Sequence, residues 1–485
     1  MGMKGMETDT VIVGTGLAGL TTALKVLERG VPVILVEKTD RLGGNSMKAS
    51  SGINGTPTKY QTAKEDEDSV ESFESDTVVS GKGLSKLDLV EVLVHQSKNA
   101  IEWLTEHNKI DLSVVTKLGG HSHARTHRGS GKLPPGFAIM SLLIKRIEEY
   151  ERDQKVTVLK ESLLNKILKS NSGNVIGIEY VDSDKKTRHI TSKNVVLATG
   201  GYSADFGSLL KQFRPDLVSF PSTNGQQTTG DGQKVAARDV EANLIHMDQV
   251  QVHPTGFLKL TSINEKWKFL CGELIRGIGG FLISPVTGER FTNELGRRDQ
   301  VTQAILDNCG VTTSLSNDIG IELGRAVSLI VVNKNDYEKA KNHIDFYTSQ
   351  KLLQRGSLTD MVQFLRRIND KIDGKVVLNT LIDYNNAIAS KKDDTYGRKD
   401  FGSTFDEENE EYYFGLITPV VHFSMGGIEI NKYGQVLNKD HQIVPNLYAV
   451  GEVSGGLHGG NRLGGSSLLE CVVFGTVVSG KITGD

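Results

Sequence analysis

The sequence predicts an α/β fold: a Rossmann-like dinucleotide-binding domain, interrupted in the chain by an inserted α+β domain. Three observations predict it. A Gly-x-Gly-x-x-Gly motif, Gly14 to Gly19, stands between a β-branched run and a helical pattern within the first twenty residues. Residues 248–422 mix short strands, charged helices and loops with no second unit of that kind. A further buried strand, glycine-rich turns and an apolar helix then return after residue 446. The expected division is 9–247 and 423–485 for the two parts of the nucleotide domain and 248–422 for the insertion. A chain of 485 residues exceeds one ordinary core, as this division requires.

Residues 9–13 read as a strand ending at Gly14. Leu20, Ala23, Leu24 and Leu27 follow at helical spacing, Gly30 stops that helix, and residues 33–37 form the second strand of a βαβ unit. Residues 60–85 are acidic and serine-rich and read as a solvated surface helix or loop. Residues 88–107 and 137–150 have helical patterns, while 116–136 is irregular and rich in Gly, His and Arg. Residues 156–184 suggest a strand and hairpin, and 194–200 a buried strand running into Gly200-Gly201. Residues 390–413 are strongly charged; 446–451 reads as a buried strand and 468–479 as an apolar helix.

A net charge of −3 gives no reason to expect nucleic acid or a membrane surface as partner. Cys271, Cys309 and Cys471 are far apart and lack CxxC, metal or haem spacing, so neither a metal nor an iron–sulfur or haem group is expected in the chain. Isolated thiols indicate a reducing compartment, and the polar start carries no signal core, so a cytoplasmic location is expected. A mitochondrial or other organellar location is the alternative if a leader has been removed. No uninterrupted apolar run reaches membrane-spanning length.

In the nucleotide motif Gly14 permits the tight turn, Gly16 lets the backbone approach a pyrophosphate, and Gly19 lets the helix pack on the strand. The helix N-terminus then faces the phosphates. Glu37 ends the second strand, where an acid can bond ribose hydroxyls. The rest of the chain favours FAD over NAD. Gly43-Gly44 permits backbone contact with a second part of a long cofactor, and Glu452 is placed for a ribityl hydroxyl. A helix starting near Ser466-Ser467 directs its positive end towards a flavin ring.

Eight segments jointly resemble one family. Besides Gly14 to Gly19 they are Gly43-Gly44-Asn45-Ser46-Met47-Lys48-Ala49-Ser50-Ser51-Gly52-Ile53-Asn54, Thr223 to Gly232 (TNGQQTTGDG), and Gln251-Val252-His253-Pro254-Thr255. Glu273-Leu274-Ile275-Arg276-Gly277, Asn293 to Asp299 (NELGRRD), His422-Phe423-Ser424-Met425-Gly426-Gly427 and Asn461-Arg462-Leu463-Gly464-Gly465 complete the set. Over residues 9–480 the chain resembles the flavoprotein family of fumarate reductases and succinate dehydrogenases, most of all the soluble fumarate reductases of yeasts. The resemblance implies a GR2-type flavoprotein whose inserted domain caps the flavin, with His253 and His422 at the cap's two ends. It adds Leu17, Ala18, Lys38, Asn45, Ser46, Ala49, Ser51, Gly52, Ile53, Asn54, Gly200, Gly201, Thr229, Gly230 and Asp231 to the expected cofactor contacts. It likewise adds Gly451, Arg462, Ser467, Leu468 and Leu469.

The same resemblance implies that His253, His422 and Arg462 bind fumarate, that Arg298 protonates it, and that Glu273 and Arg276 form the relay behind Arg298. Glu273 and Arg276 would share a face at i, i+3 on a helix, a spacing that ordinary surface ion pairs also use. Arg297 beside Arg298 departs from the family's commoner Thr-Arg-Asp; alignment to Asp299 selects Arg298. Asn45 stands where membrane-bound relatives attach FAD through His, which implies non-covalent FAD and a reaction strongly biased towards reduction. Electrons must then come from outside, for instance from reduced FMN or FAD. The cationic loop 121–128 reads equally as direct contact or as a loop of the cap interface. L-aspartate oxidase, urocanate reductase or ketosteroid dehydrogenase chemistry are alternatives in the same fold, the last disfavoured by so polar a site. A non-catalytic flavin-binding or electron-shuttle protein is the alternative of another class.

Overall fold

Residues 6–62, 67–312, 316–393, 395–405 and 411–484 are described by a computed structural model. The first five residues, residues 63–66 of the acidic stretch, 313–315, 394 and 406–410 of the charged segment, and the last residue lie outside the described residues.

The β-branched strand Met6–Val13 runs parallel between Val33–Val36 and Thr187–Leu197. Val156–Leu159 adds parallel to one edge and Ile443–Ala449 to the other. An antiparallel extension, Leu163–Lys169 with Val175–Val181, completes the hairpin expected from the sequence and joins Thr187–Leu197. Because the central strands are covered on both faces, they read as continuous apolar runs.

Glycine determines how the first turn closes. Gly14 has φ +104, and a Cβ there would stand 2.2 Å from the carbonyl oxygen of Ala198. A Cβ on Gly19 would stand 2.0 Å from the carbonyl of Gly14. The helix Leu17–Leu27 therefore starts directly against the strand ends. It packs on the C-terminal helix Ser466–Thr483. By length and composition that last helix could cross a bilayer, although Glu470 and Lys481 interrupt it, so it is not an uninterrupted apolar run. In the fold 61% of it is buried inside the protein, where it serves as the core helix of the nucleotide domain.

The second sheet is antiparallel and built from residues 250–424: Val250–Phe257, Tyr412–Ser424, Ser328–Asn333 and Phe281–Ile283 in that order, with Gln354–Gly356 also on Tyr412–Ser424. Its two outermost sequence strands are direct neighbours, with His253 opposite Val420. His253 and His422 thus stand side by side, not at separate ends of the inserted region.

The acidic stretch is more than a solvated surface. Helix Val70–Ser80 buries Phe73, Thr77 and Ser80. Asp68 and Asp76 hold the fully buried Arg125, whose Nε and Nη2 donate to Asp68 at 2.6 and 2.8 Å and whose Nη1 donates to Asp76 at 2.6 Å. The cationic loop and the acidic stretch are two halves of one buried network, which composition cannot show because the partners are about fifty residues apart.

Candidate active site

One cavity of about 1110 Å³ runs from the Gly14 turn to Arg298, His422 and Arg462. At one end is the N-terminus of Leu17–Leu27, capped by Gly16 without a side-chain cap; Ser46 Oγ accepts from the Leu17 amide at 3.1 Å. At the other is the N-terminus of Ser466–Thr483, capped by Gly465 at φ +81, again without a side-chain cap. Two helix N-termini in one elongated cavity supply positive potential at two points. That suits the pyrophosphate and the electron-rich ring of a flavin dinucleotide.

Of the expected cofactor contacts, Gly14, Gly16, Leu17, Ala18, Glu37, Lys38, Gly44, Asn45, Ser46, Ala49, Ser51 and Gly52 form the cavity wall. Gly200, Asp231, Glu452, Arg462, Ser467 and Leu468 do so as well. Gly19, Gly43, Ile53, Asn54, Gly201, Thr229, Gly230, Gly451 and Leu469, also expected as contacts, do not line the cavity. Asn54 donates to the Gly464 carbonyl at 2.8 Å and to Ser466 Oγ at 3.0 Å, fixing the start of the C-terminal helix. Lys38 Nζ reaches Thr229 Oγ1 at 2.8 Å and Asp231 at 2.5 Å. A Cβ on Gly201 would collide with Ser424 and Glu452.

Two acids differ in what they have left to offer. Glu37 already accepts four hydrogen bonds, from the amides and hydroxyls of Thr15 and Thr39 at 2.6–3.2 Å. A carboxylate has about four lone-pair positions, so a ribose hydroxyl must displace one of these donors. Glu452 accepts through Oε1 from the Ser424 amide at 2.9 Å and hydroxyl at 3.0 Å. Burial pushes its carboxyl up to about 7, so near neutrality it can donate as well as accept. Asn45 is held by the loop it faces: Nδ2 donates to Asn224 and Thr228 at 2.8 Å, and Oδ1 accepts from the Gly225 amide at 2.9 Å.

Arg298 is the inward arginine. It opens helix Arg298–Asn308 and is 6% exposed, whereas Arg297 is the N-cap and pairs with Asp299 at 3.3 Å near the surface. Arg298 donates to Glu273 Oε2 through Nε at 2.9 Å and lies 2.8 Å from the same oxygen through Nη2. Arg276 Nη2 lies 4.0 Å from that oxygen on the short helix Glu273–Gly277. Burial would raise the Glu273 carboxyl, but Arg298 and Arg276 outweigh it and hold it below its ordinary value. Burial lowers the Arg276 guanidinium, partly offset by Glu273. Behind them Arg398 donates to the Arg276 carbonyl and to Glu294, and Arg290 binds Glu294 and Asp393.

Arg462 makes no ion pair among the described residues. Its Nη2 donates to Gln251 Oε1 at 3.2 Å, and its Nε is buried without a partner. Burial, then repulsion by Arg298, lowers it to about 9. Gln251 is legible in the sequence only as part of a motif, yet its Oε1 also accepts from Arg298 Nη1 at 2.8 Å. One neutral oxygen therefore holds two guanidiniums side by side. Only its place two residues before His253 hinted at this.

The His253 and His422 rings are 5.1 Å apart. The Thr255 amide donates to His253 Nδ1 at 3.2 Å, so the neutral ring carries its proton on Nε2, an atom that is buried and unpartnered. His422 Nδ1 is 2.7 Å from Thr223 Oγ1. Burial, then Arg298, holds both imidazoles well below their ordinary values, which disfavours the cations a dianion site first suggests. In the cationic loop only Arg128 reaches the large cavity; His121 instead meets the Gly464 carbonyl at 3.0 Å, supporting the Arg462 turn.

A cavity with a helix N-terminus at each end, and with the buried, unpartnered Arg462 Nε at its wall, is the arrangement of a flavin-binding protein. The matching family model is described as an FAD binding domain and covers residues 9–468; the chain belongs to that family, among the fumarate reductases. It is 42% identical over 486 residues to Fumarate reductase 1 of Saccharomyces cerevisiae, covering 99% of each chain. It is 35% identical to Fumarate reductase of Schizosaccharomyces pombe, over 97% of this chain and 88% of that one. The open conformation of a flavocytochrome c3 fumarate reductase superposes with a TM-score of 0.75 at 31% identity, over 99% of this chain and 78% of the other.

Proposed function

We propose that the protein reduces fumarate to succinate, with FAD held non-covalently and the proton supplied by Arg298. The observation that carries the proposal is the pair Arg298 and Arg462 on Gln251 Oε1: two buried guanidiniums, of which only one has a carboxylate partner. A buried charge left uncompensated is costly, and a bound dicarboxylate removes that cost. Arg462 grips one carboxylate and the imidazoles His253 and His422 donate to the other, at roughly 1.5–3 kcal/mol for each charge-assisted bond.

Reduced FAD, when bound, supplies hydride to one alkene carbon. The alkene π pair then moves to the other carbon, where the donors around its carboxylate stabilise the developing charge. That carbon takes a proton from Arg298. The Glu273 carboxylate, in contact with both arginines, takes a proton from Arg276 and passes it to Arg298, and solvent reprotonates Arg276. The net reaction runs towards succinate, with reduced FMN or FAD as a suitable external donor. Anaerobic incubation of the holoprotein with reduced FMN and fumarate is expected to yield succinate in proportion to FMN oxidised. Unconsumed fumarate beside oxidised FMN would contradict the proposal.

Asn45 offers an amide, which is no nucleophile, and its three polar bonds are already made within the protein. Acid precipitation of the holoprotein should therefore release all of its FAD into the supernatant. Flavin fluorescence that stays with the denatured chain on a gel would exclude a non-covalent cofactor.

A further inference from the structure

Behind the clamping arginine lies a buried pair that no step above uses. His458 Nε2 and Glu470 Oε2 are 3.0 Å apart, with side chains 4% and 2% exposed. Glu470 projects from the C-terminal helix Ser466–Thr483, and its other oxygen lies 3.4 Å from Ser454 Oγ. His458 belongs to the glycine-rich turn that continues to Arg462. An apolar pair would fill this volume without the cost of burying a carboxylate.

Phe423 connects the pair to the site. The His458 ring meets it edge-on, with centroids 5.6 Å apart and planes at 77°. The Arg462 guanidinium carbon lies 4.3 Å from the centroid of the same ring. Such contacts attract the guanidinium and orient its plane. With its Nε unpartnered and no carboxylate on it, Arg462 depends on Phe423, Gln251 and the Leu463 carbonyl for its orientation. The Glu470 carboxylate also favours the charged form of Arg462.

We propose that His458 and Glu470 are a positioning pair for Arg462: Glu470 fixes the His458 ring, that ring fixes Phe423, and Phe423 holds the guanidinium towards the substrate. The proposal rests on Arg462 binding a dicarboxylate, as above. Three variants test it: Glu470→Leu, His458→Leu, and Glu470→Gln, which keeps an acceptor for the histidine. Each is loaded with FAD, and the affinity of the oxidised holoprotein for succinate is read from the flavin spectrum, alongside kcat and KM for fumarate. Both Leu variants are expected to weaken succinate binding and raise KM by at least about tenfold, the order of one charge-assisted hydrogen bond. Their kcat should fall by less than about threefold, since Arg298 and Glu273 are untouched. Glu470→Gln should stay nearer the unaltered protein in KM. A purely structural pair would lower FAD content or melting temperature and leave KM unchanged; that pattern in a folded Leu variant overturns the proposal. If Glu470→Leu does not fold, His458→Leu decides alone. Failure of the unaltered holoprotein to bind succinate would overturn the reading of Arg462 itself, a result distinct from unchanged affinity in the variants.

Discussion

Arg298→Ala is expected to lower turnover by about 100- to 10,000-fold, the loss typical of a missing proton-transfer group. FAD should stay bound, because the Gly14 turn and both helix N-termini facing the cavity are unaltered. Dicarboxylate affinity should fall far less than turnover, because Arg462, His253 and His422 remain. Arg298→Lys should recover part of the rate, since an ammonium also releases a proton. Glu273→Gln keeps the shape and an acceptor for Arg298 but cannot return a proton, so it should depress kcat with little change in succinate affinity. Steady-state kinetics with inhibitor titration on the three variants separates these roles. Turnover above about a tenth of the original in Arg298→Ala would be too small a loss for an absent general acid. The proton would then come from elsewhere.

The second large effect is on the fold. Gly14→Ala should abolish FAD retention and destabilise the nucleotide domain. Its φ of +104 strains any other residue, and the new Cβ would face the Ala198 carbonyl oxygen at 2.2 Å and its carbon at 2.6 Å. Both obstacles are backbone of the neighbouring strand end, so neither can swing away. Overpacking of this kind costs about 1–3 kcal/mol before the strain is added. Gly30→Ala is the control: it also has positive φ, +76, but its Cβ would meet nothing within 4 Å. It should lose only about 1–2 kcal/mol, the cost of a side chain in a left-handed conformation, and keep its flavin. Equal melting temperatures and flavin content in the two variants would contradict this account of the first turn.

These two sites show what the sequence reveals and what it does not. Gly14 and Gly19 are legible because steric demand leaves a fixed local spacing between a strand and a helix. The arginine beside Asp299 is legible from its motif, and the fold confirms that Arg298, not Arg297, is the buried one. Contacts between distant segments are not legible. His253 and His422 meet only because Val250–Phe257 pairs with Tyr412–Ser424, 169 positions apart between the two rings. Gln251 carries no charge to attract notice, and the strand is irregular between it and Val252, so simple alternation does not place its side chain. Burial also shifts charge in a way composition cannot show: both histidines are held well below their ordinary values, and Arg462 is lowered to about 9.

In the proposed function, electrons on the bound flavin pass to fumarate held by Arg462 and the two histidines. The most direct test is a single anaerobic turnover: the holoprotein is photoreduced, mixed with one equivalent of fumarate, and followed by flavin absorbance. Full return of the oxidised spectrum is expected, with one succinate formed per flavin, and at least about a hundredfold slower return in Arg298→Ala. A reduced flavin that stays reduced in the presence of excess fumarate would contradict the proposed function.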